Sequence, residues 1–265
     1  MSKNNSIGIF DSGVGGLTVA HAIAKSLPNE NLVYFGDTLH LPYGEKSAES
    51  IQRYAAQIAD FLMAQGCKII VIACNSASAT AYDSTKIHIQ NKLPVINVID
   101  PMVEHIANHF NGKNVGVVGT KATIKSKVYE NKLVGISNII GKATPLLAPM
   151  IEEGFIQDQV SRAVITSYMN DAKLSELQAM VLGCTHYPLI KKDFEHLLGG
   201  KVVVLDSSEI VAQAVKAQLE ALSLMSDSQL PGTQKFFISD YTDSFKSMAA
   251  KFFGETIELE ERHLG

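Results

Sequence analysis

Val71-Ile72-Ala73-Cys74-Asn75-Ser76 and Val181-Leu182-Gly183-Cys184-Thr185-His186 read as one device used twice. Each is an apolar run, a small residue and a cysteine, followed by polar side chains that open the next segment. An aliphatic run without alternation is a strand buried on both faces, which belongs in a parallel sheet flanked by helices. Similar short runs elsewhere in the chain predict strands over 6–10, 32–35, 69–73, 95–98, 114–118, 180–183, 201–205 and 235–239. Helical patterning predicts helices between them, over 17–26, 47–65, 77–90 and 207–222. This alternation is the α/β class.

A second echo accompanies the cysteine motifs. Ile7-Gly8-Ile9-Phe10-Asp11-Ser12 resembles Val115-Gly116-Val117-Val118-Gly119-Thr120. Ile7 and Val115 lie 108 residues apart, and Cys74 and Cys184 lie 110 apart. Two coincidences at nearly one spacing point to two similar α/β halves, although any α/β chain repeats strand-turn-helix units. A proline-marked turn at Ile99-Asp100-Pro101 is the expected boundary. The expected division is residues 1–98 with 207–265 in a first α/β domain and 99–206 in a second.

Composition narrows the function classes. The 265 residues suffice for a sizeable core. The 46% hydrophobic and 19% charged residues are the balance of an ordinary globular chain. A formal net charge of −4 argues against nucleic acid as a partner. Apolar runs fall far short of a membrane span, and the opening residues lack the long apolar stretch of a signal peptide. The expected location is the cytoplasm. Three cysteines without a secretion signal are expected to be free thiols.

Cys74 and Cys184 both fall where a predicted strand ends and a helix is expected to begin, the sheet edge at which ligands bind. Helix N-termini favour thiolate, so both pKa values are expected to move down. Cys67, beside Gly66 and Lys68, reads as packing. Disulfide exchange normally uses a close Cys-x-x-Cys pair, which is missing. Zinc needs more ligands than Cys184 and His186 offer, so no metal site is expected. A cysteine hydrolase built on Cys184 and His186 would leave Cys74 unexplained. Removing a proton from one face of a carbon and returning it to the other needs two bases, and two thiols meet that need.

Asp11-Ser12-Gly13-Val14-Gly15-Gly16 lacks the lysine of a phosphate loop and the third glycine of a dinucleotide fingerprint. Its amides suit a small carboxylate, with Asp11 or Ser12 as helix cap. The loop Leu41-Pro42-Tyr43-Gly44 follows the second strand, at the same edge. Its tyrosine reads equally as a pocket wall and as a packed aromatic. No lysine carries a recognisable Schiff-base setting, so no cofactor is expected.

Taken in order, these motifs resemble the glutamate racemases of the aspartate/glutamate racemase superfamily. The match also takes in Tyr34-Phe35-Gly36-Asp37, Gly119-Thr120-Lys121-Ala122-Thr123, Glu152-Glu153-Gly154 and Leu182 to Leu189. The resemblance implies two α/β domains with the active site in the cleft between them, and glutamate as substrate. It implies Cys74 and Cys184 as the acid/base pair, assisted by Asp11, Glu152 and His186, with Asp11 supporting Cys74 and His186 supporting Cys184. Substrate contacts carried over are Asp11, Ser12, Tyr43, Gly44, Asn75, Ser76, Thr185 and His186. It further implies a homodimer that supplies D-glutamate for peptidoglycan. Ser76 stands where the family usually has threonine. Leu39-His40-Leu41 departs from the commoner small-and-arginine sequence. Glu152 is separated from the alternative Glu153 by one residue of register.

Overall fold

β1 (Ile7–Asp11), the first apolar run, is buried at every position, as a strand covered on both faces must be. The computed structural model describes residues 2–264. From β1 the chain passes through α1 (Leu17–Ser26) to β2 (Leu32–Gly36), and through α2 (Ala48–Ala64) to β3 (Ile69–Ile72). Two short helices, α3 (Asn75–Thr80) and α4 (Tyr82–His88), precede β4 (Val95–Asn97). Next come α5 (Ile99–His109), β5 (Asn114–Gly119), α6 (Lys121–Lys125), α7 (Val128–Lys132) and β6 (Asn138–Ala143). They are followed by α8 (Leu147–Glu152), α9 (Gln159–Met169), β7 (Ala179–Gly183), α10 (Lys191–Leu197) and β8 (Val203–Asp206). The chain closes with α11 (Ser207–Ala221), β9 (Gln234–Ile238), α12 (Asp243–Phe253) and β10 (Leu259–Glu261).

Among the described residues the strands form two sheets, ordered β10-β9-β2-β1-β3-β4 and β6-β5-β7-β8. Every pairing is parallel. The order β2-β1-β3-β4 recurs as β6-β5-β7-β8, four strands later, which is the structural form of the sequence echo. β1 lies beside β3, and β5 beside β7, at the points where successive crossovers leave in opposite directions. Ligand crevices open beyond the strand ends at such points. Here they are Asp11 with Cys74, and Gly119 with Cys184.

α11 packs on α1 and α5, and one apolar cluster runs from β1 through these helices to the second sheet. A separate cluster fills the other face of the first sheet. Among the described residues no helix is long and apolar enough to cross a membrane.

Four local expectations need correction. The helix predicted over 77–90 is broken at Ala81. Thr80 Oγ1 donates to the Ser76 carbonyl, and Ser84 and Thr85 hydroxyls both donate to Ala81 O, so side chains compete with the helical ladder there. Ile99-Asp100-Pro101 is no turn but the start of α5. Asn97 Oδ1 accepts from the Ile99 and Asp100 amides at 2.8 Å, and Pro101 sits in the first turn, where its missing N–H is not needed. The predicted strands omit β6, a half-buried edge strand with only two consecutive aliphatic residues. They also omit β10, whose sequence is Leu-Glu-Glu. Charge on an edge strand deters pairing with other chains and hides the strand from hydrophobic pattern.

Lys68, at the entrance to β3, is fully buried. Its ammonium donates to Glu30 Oε2, to the Lys3 carbonyl and, at 2.8 Å, to the Leu224 carbonyl. Glu30 Oε1 accepts from the Ser226 amide at 2.7 Å. One buried ion pair therefore ties together the start of the chain, the α1–β2 turn, β3 and the segment after α11.

Candidate active site

The glycine turn after β1 serves its own aspartate. Asp11 Oδ2 accepts from the Gly16 amide at 2.9 Å and the Gly13 amide at 3.3 Å. Amides expected to be open to a ligand are thus taken by a fully buried carboxylate. Burial raises the Asp11 pKa, against the opposing pull of the His186 charge and these amides. Gly15 is required for close approach, because a Cβ there would lie 2.5 Å from His186 Nδ1 and 2.7 Å from Thr185 Oγ1. Thr18 Oγ1 adds a hydrogen bond to the Thr185 carbonyl at 3.2 Å. The loop after β7 is thereby docked directly on the loop after β1.

The two thiols have different surroundings. Cys74 caps the short α3, its Sγ accepting from the Ala77 amide at 3.5 Å and lying 3.7 Å from Ser12 Oγ. Burial, reinforced by the Asp11 charge, pushes its pKa up to about 12. The expected lowering by a helix terminus is outweighed. A 3₁₀ turn, Tyr187–Ile190, follows Cys184 in place of the expected α-helix. Its sulfur lies 3.7 Å from His186 Nδ1, and His186 Nε2 meets Glu152 Oε1 at 2.8 Å. Burial works against the His186 charge, but the hydrogen bonds and negative charges of Cys184 and Glu152 prevail, lifting its pKa to about 10. At neutral pH His186 is an imidazolium held between two acceptors.

Glu152 is the last residue of α8 and points into this site, whereas Glu153 is its exposed cap. Cys67 is buried in the apolar cluster, and burial pushes its pKa up to about 12.

Cys74 and Cys184 wall one cavity of about 220 Å³. Ser12, Tyr43, Gly44, Asn75, Ser76, Glu152, Thr185 and His186 line it with them. Asp11 lies behind this lining. Thr120 is a lining residue that the site reading missed. The echo contained the signal, since Thr120 stands to β5 as Ser12 stands to β1. Its hydroxyl lies 2.9 Å from Ser76 Oγ and 3.1 Å from Thr123 Oγ1, a hydroxyl chain joining the two sheets. Leu41, Pro42, Ala148 and Pro149 complete the wall.

Two buried polar atoms of the site, Asp11 Oδ1 and Asn75 Nδ2, make no hydrogen bond within the protein. Buried polar atoms without partners mark a place for a ligand or water. An acceptor and a donor together match the ammonium and carboxylate of an amino acid. Among the described residues no group of three or more His, Cys, Asp and Glu is placed to hold a metal ion.

The environments make a labelling order testable. With iodoacetamide at pH 7.5, Cys184, beside its imidazolium, is expected to be alkylated about tenfold or more faster than Cys74 or Cys67. Peptide mass spectrometry reads the order, and Cys74 labelling is expected to climb with pH toward about 12. Equal rates at Cys74 and Cys184 would show that the charge partner is ineffective.

The profile of the Asp/Glu/hydantoin racemase family matches residues 16–215. The glutamate racemase of Syntrophus aciditrophicus is 37% identical over 99% of each chain. That of Geobacter metallireducens is 38% identical, over 94% of this chain and 92% of its own. The crystal structure of the Francisella tularensis glutamate racemase, in complex with D-glutamate, superposes with a TM-score of 0.92 at 36% identity. It covers 99% of this chain and 98% of that one, and so shares both sheets and their helices. Likeness of this extent, in sequence and in fold, makes the chain a member of the Asp/Glu/hydantoin racemase family.

Proposed function

We propose that this chain interconverts L- and D-glutamate by proton transfer between two thiols, without an added cofactor. The observation that carries the reading is that Cys74 and Cys184, from matching strand ends of the two sheets, wall one cavity. The full-length likeness to glutamate racemases supports the choice of amino acid.

In the resting enzyme Cys184, beside the His186 imidazolium that Glu152 steadies, serves as the base, while Cys74 beside Asp11 keeps its proton. Glutamate enters with its ammonium toward Asp11 and a carboxylate toward Asn75 and the Ser12, Ser76, Thr120 and Thr185 hydroxyls. The isomer whose α-hydrogen faces Cys184 loses that proton to the thiolate. Cys74 donates its proton to the opposite face of the carbon. The product enzyme has a thiol at Cys184 and a thiolate at Cys74, which is the form that accepts the other isomer. Carbanion character at the α-carbon is stabilised by fixed donors around the carboxylate in a closed cleft.

The same reading takes residues 1–98 with 207–265 as one domain and 99–206 as the other. It takes the enzyme to be a cytoplasmic homodimer that supplies D-glutamate for peptidoglycan. The test of the activity is incubation of the purified protein with L- or D-glutamate in heavy water, without pyridoxal phosphate. Both isomers are expected to reach the same mixture with deuterium at the α-carbon. Turnover of aspartate alone would move the substrate assignment within the family. Glutamate binding without α-proton exchange would make the chain a binding module instead.

A further inference from the structure

Behind the cleft wall, Asp37 collects hydrogen bonds from three side chains. It follows β2, and its amide donates to the Asp11 carbonyl at 3.0 Å, so its backbone is braced on the floor of the site. Its carboxylate is buried. Oδ2 accepts from the Tyr43 hydroxyl at 2.5 Å, and Oδ1 accepts from Ser239 Oγ at 2.8 Å. His40 Nδ1 lies 2.9 and 3.0 Å from the two oxygens. Burial and the Asp37 charge push the Tyr43 phenol far up, so it stays a donor.

Tyr43 belongs to the same apolar cluster as Cys74 and lines the same cavity. The next residue, Gly44, abuts the other half: a Cβ there would lie 2.7 Å from Thr120 Cβ. The setting of Tyr43 therefore decides how the loop meets both Cys74 and Thr120. On the far side of Asp37 there is a second cavity, of about 180 Å³, bounded in part by His40, Tyr54 and His263. His40 stacks on Tyr54 with ring centroids 4.0 Å apart. A void on that side means that hydrogen bonds, rather than packing from behind, hold the carboxylate in place.

We propose that Asp37 is a positioning residue, its carboxylate holding Tyr43 by the hydroxyl so that the ring and Gly44 form the substrate-facing wall beside Cys74. Its effect on turnover rests on the glutamate reading of the cleft.

The test compares Asp37→Asn, Tyr43→Phe and the double variant. Each single change is expected to raise KM for glutamate about tenfold with kcat within about twofold, and the double to be no worse than either, because one interaction is lost in all three. A second readout needs no substrate: iodoacetamide labelling of Cys74 is expected to rise about fivefold in Asp37→Asn as the wall loosens. Ser239→Ala, which removes one donor and keeps the carboxylate, gives a smaller KM rise and serves if Asp37→Asn does not fold. Additive KM shifts, or an Asp37→Asn variant with parental KM and parental Cys74 labelling, overturn the proposal. A parent enzyme inactive on glutamate would count against the substrate reading, and the labelling arm would still decide the role of Asp37.

Discussion

The Cys74→Ser and Cys184→Ser variants are each expected to lose about 10²–10⁴-fold in racemisation rate, the usual worth of a positioned acid or base. A serine hydroxyl in the same place neither ionises near neutral pH nor returns a proton as readily as a thiol. The losses should differ in kind. With Cys74 replaced, Cys184 can still remove the α-proton of the isomer that faces it and return a solvent deuteron to the same face. That variant is expected to exchange one isomer in heavy water without inverting it, and Cys184→Ser to exchange only the other. Proton NMR of the α-hydrogen, with chiral analysis of the product, separates exchange from inversion. Either variant racemising near the parental rate would end the two-thiol mechanism.

The second large effect concerns stability. Glu30→Ala is expected to cost about 3–5 kcal/mol, the penalty for leaving a buried charge without its partner. At about 2–4 °C per kcal/mol, as for chains of about 150–250 residues, Tm falls by about 6–20 °C. Among the described residues, Lys68 would keep the carbonyls of Lys3 and Leu224 for its ammonium. Replacing both partners, with Lys68→Met and Glu30→Leu together, is expected to be milder, because no bare charge remains. Carbonyls and the Ser226 amide would still lose partners, so parental stability is not expected to return in full. Thermal melts of the single and double variants decide this, and a double variant worse than Glu30→Ala would refute the bare-charge account.

The fold was legible where pattern and burial coincide. β2, β3 and β7 throughout, and β1 up to its terminal Asp11, are aliphatic, aromatic or small and buried at every position, so each announced itself. β6 and β10 did not, because these two edge strands stand partly in water and carry polar, charged or glycine residues where the edge strands β4 and β8 keep aliphatic ones. The thiols were legible from their place after those strands. Their electrostatics were not, because His186 is tuned by Glu152, 34 positions away, and Cys74 by its own burial with the Asp11 charge beside it. Thr120 was legible in the echo with Ser12. The Asp37 cluster was beyond sequence reading, since Ser239 reaches it across 202 positions of chain.

The repeated strand order has a consequence for handedness. A pocket built from one loop prefers one enantiomer, because a chiral wall and its mirror-image guest cannot both fit. On the proposed mechanism, two loops with the same topology offer a proton acceptor each, so exchanging L for D largely exchanges which half of the molecule acts first. The halves are not chemically equal, however: one thiol leans on an imidazolium and the other on a buried acid. That residual inequality belongs in the separate kcat and KM values of the two isomers. The ratio of their kcat/KM values is fixed near unity, because enantiomers have equal free energies in water.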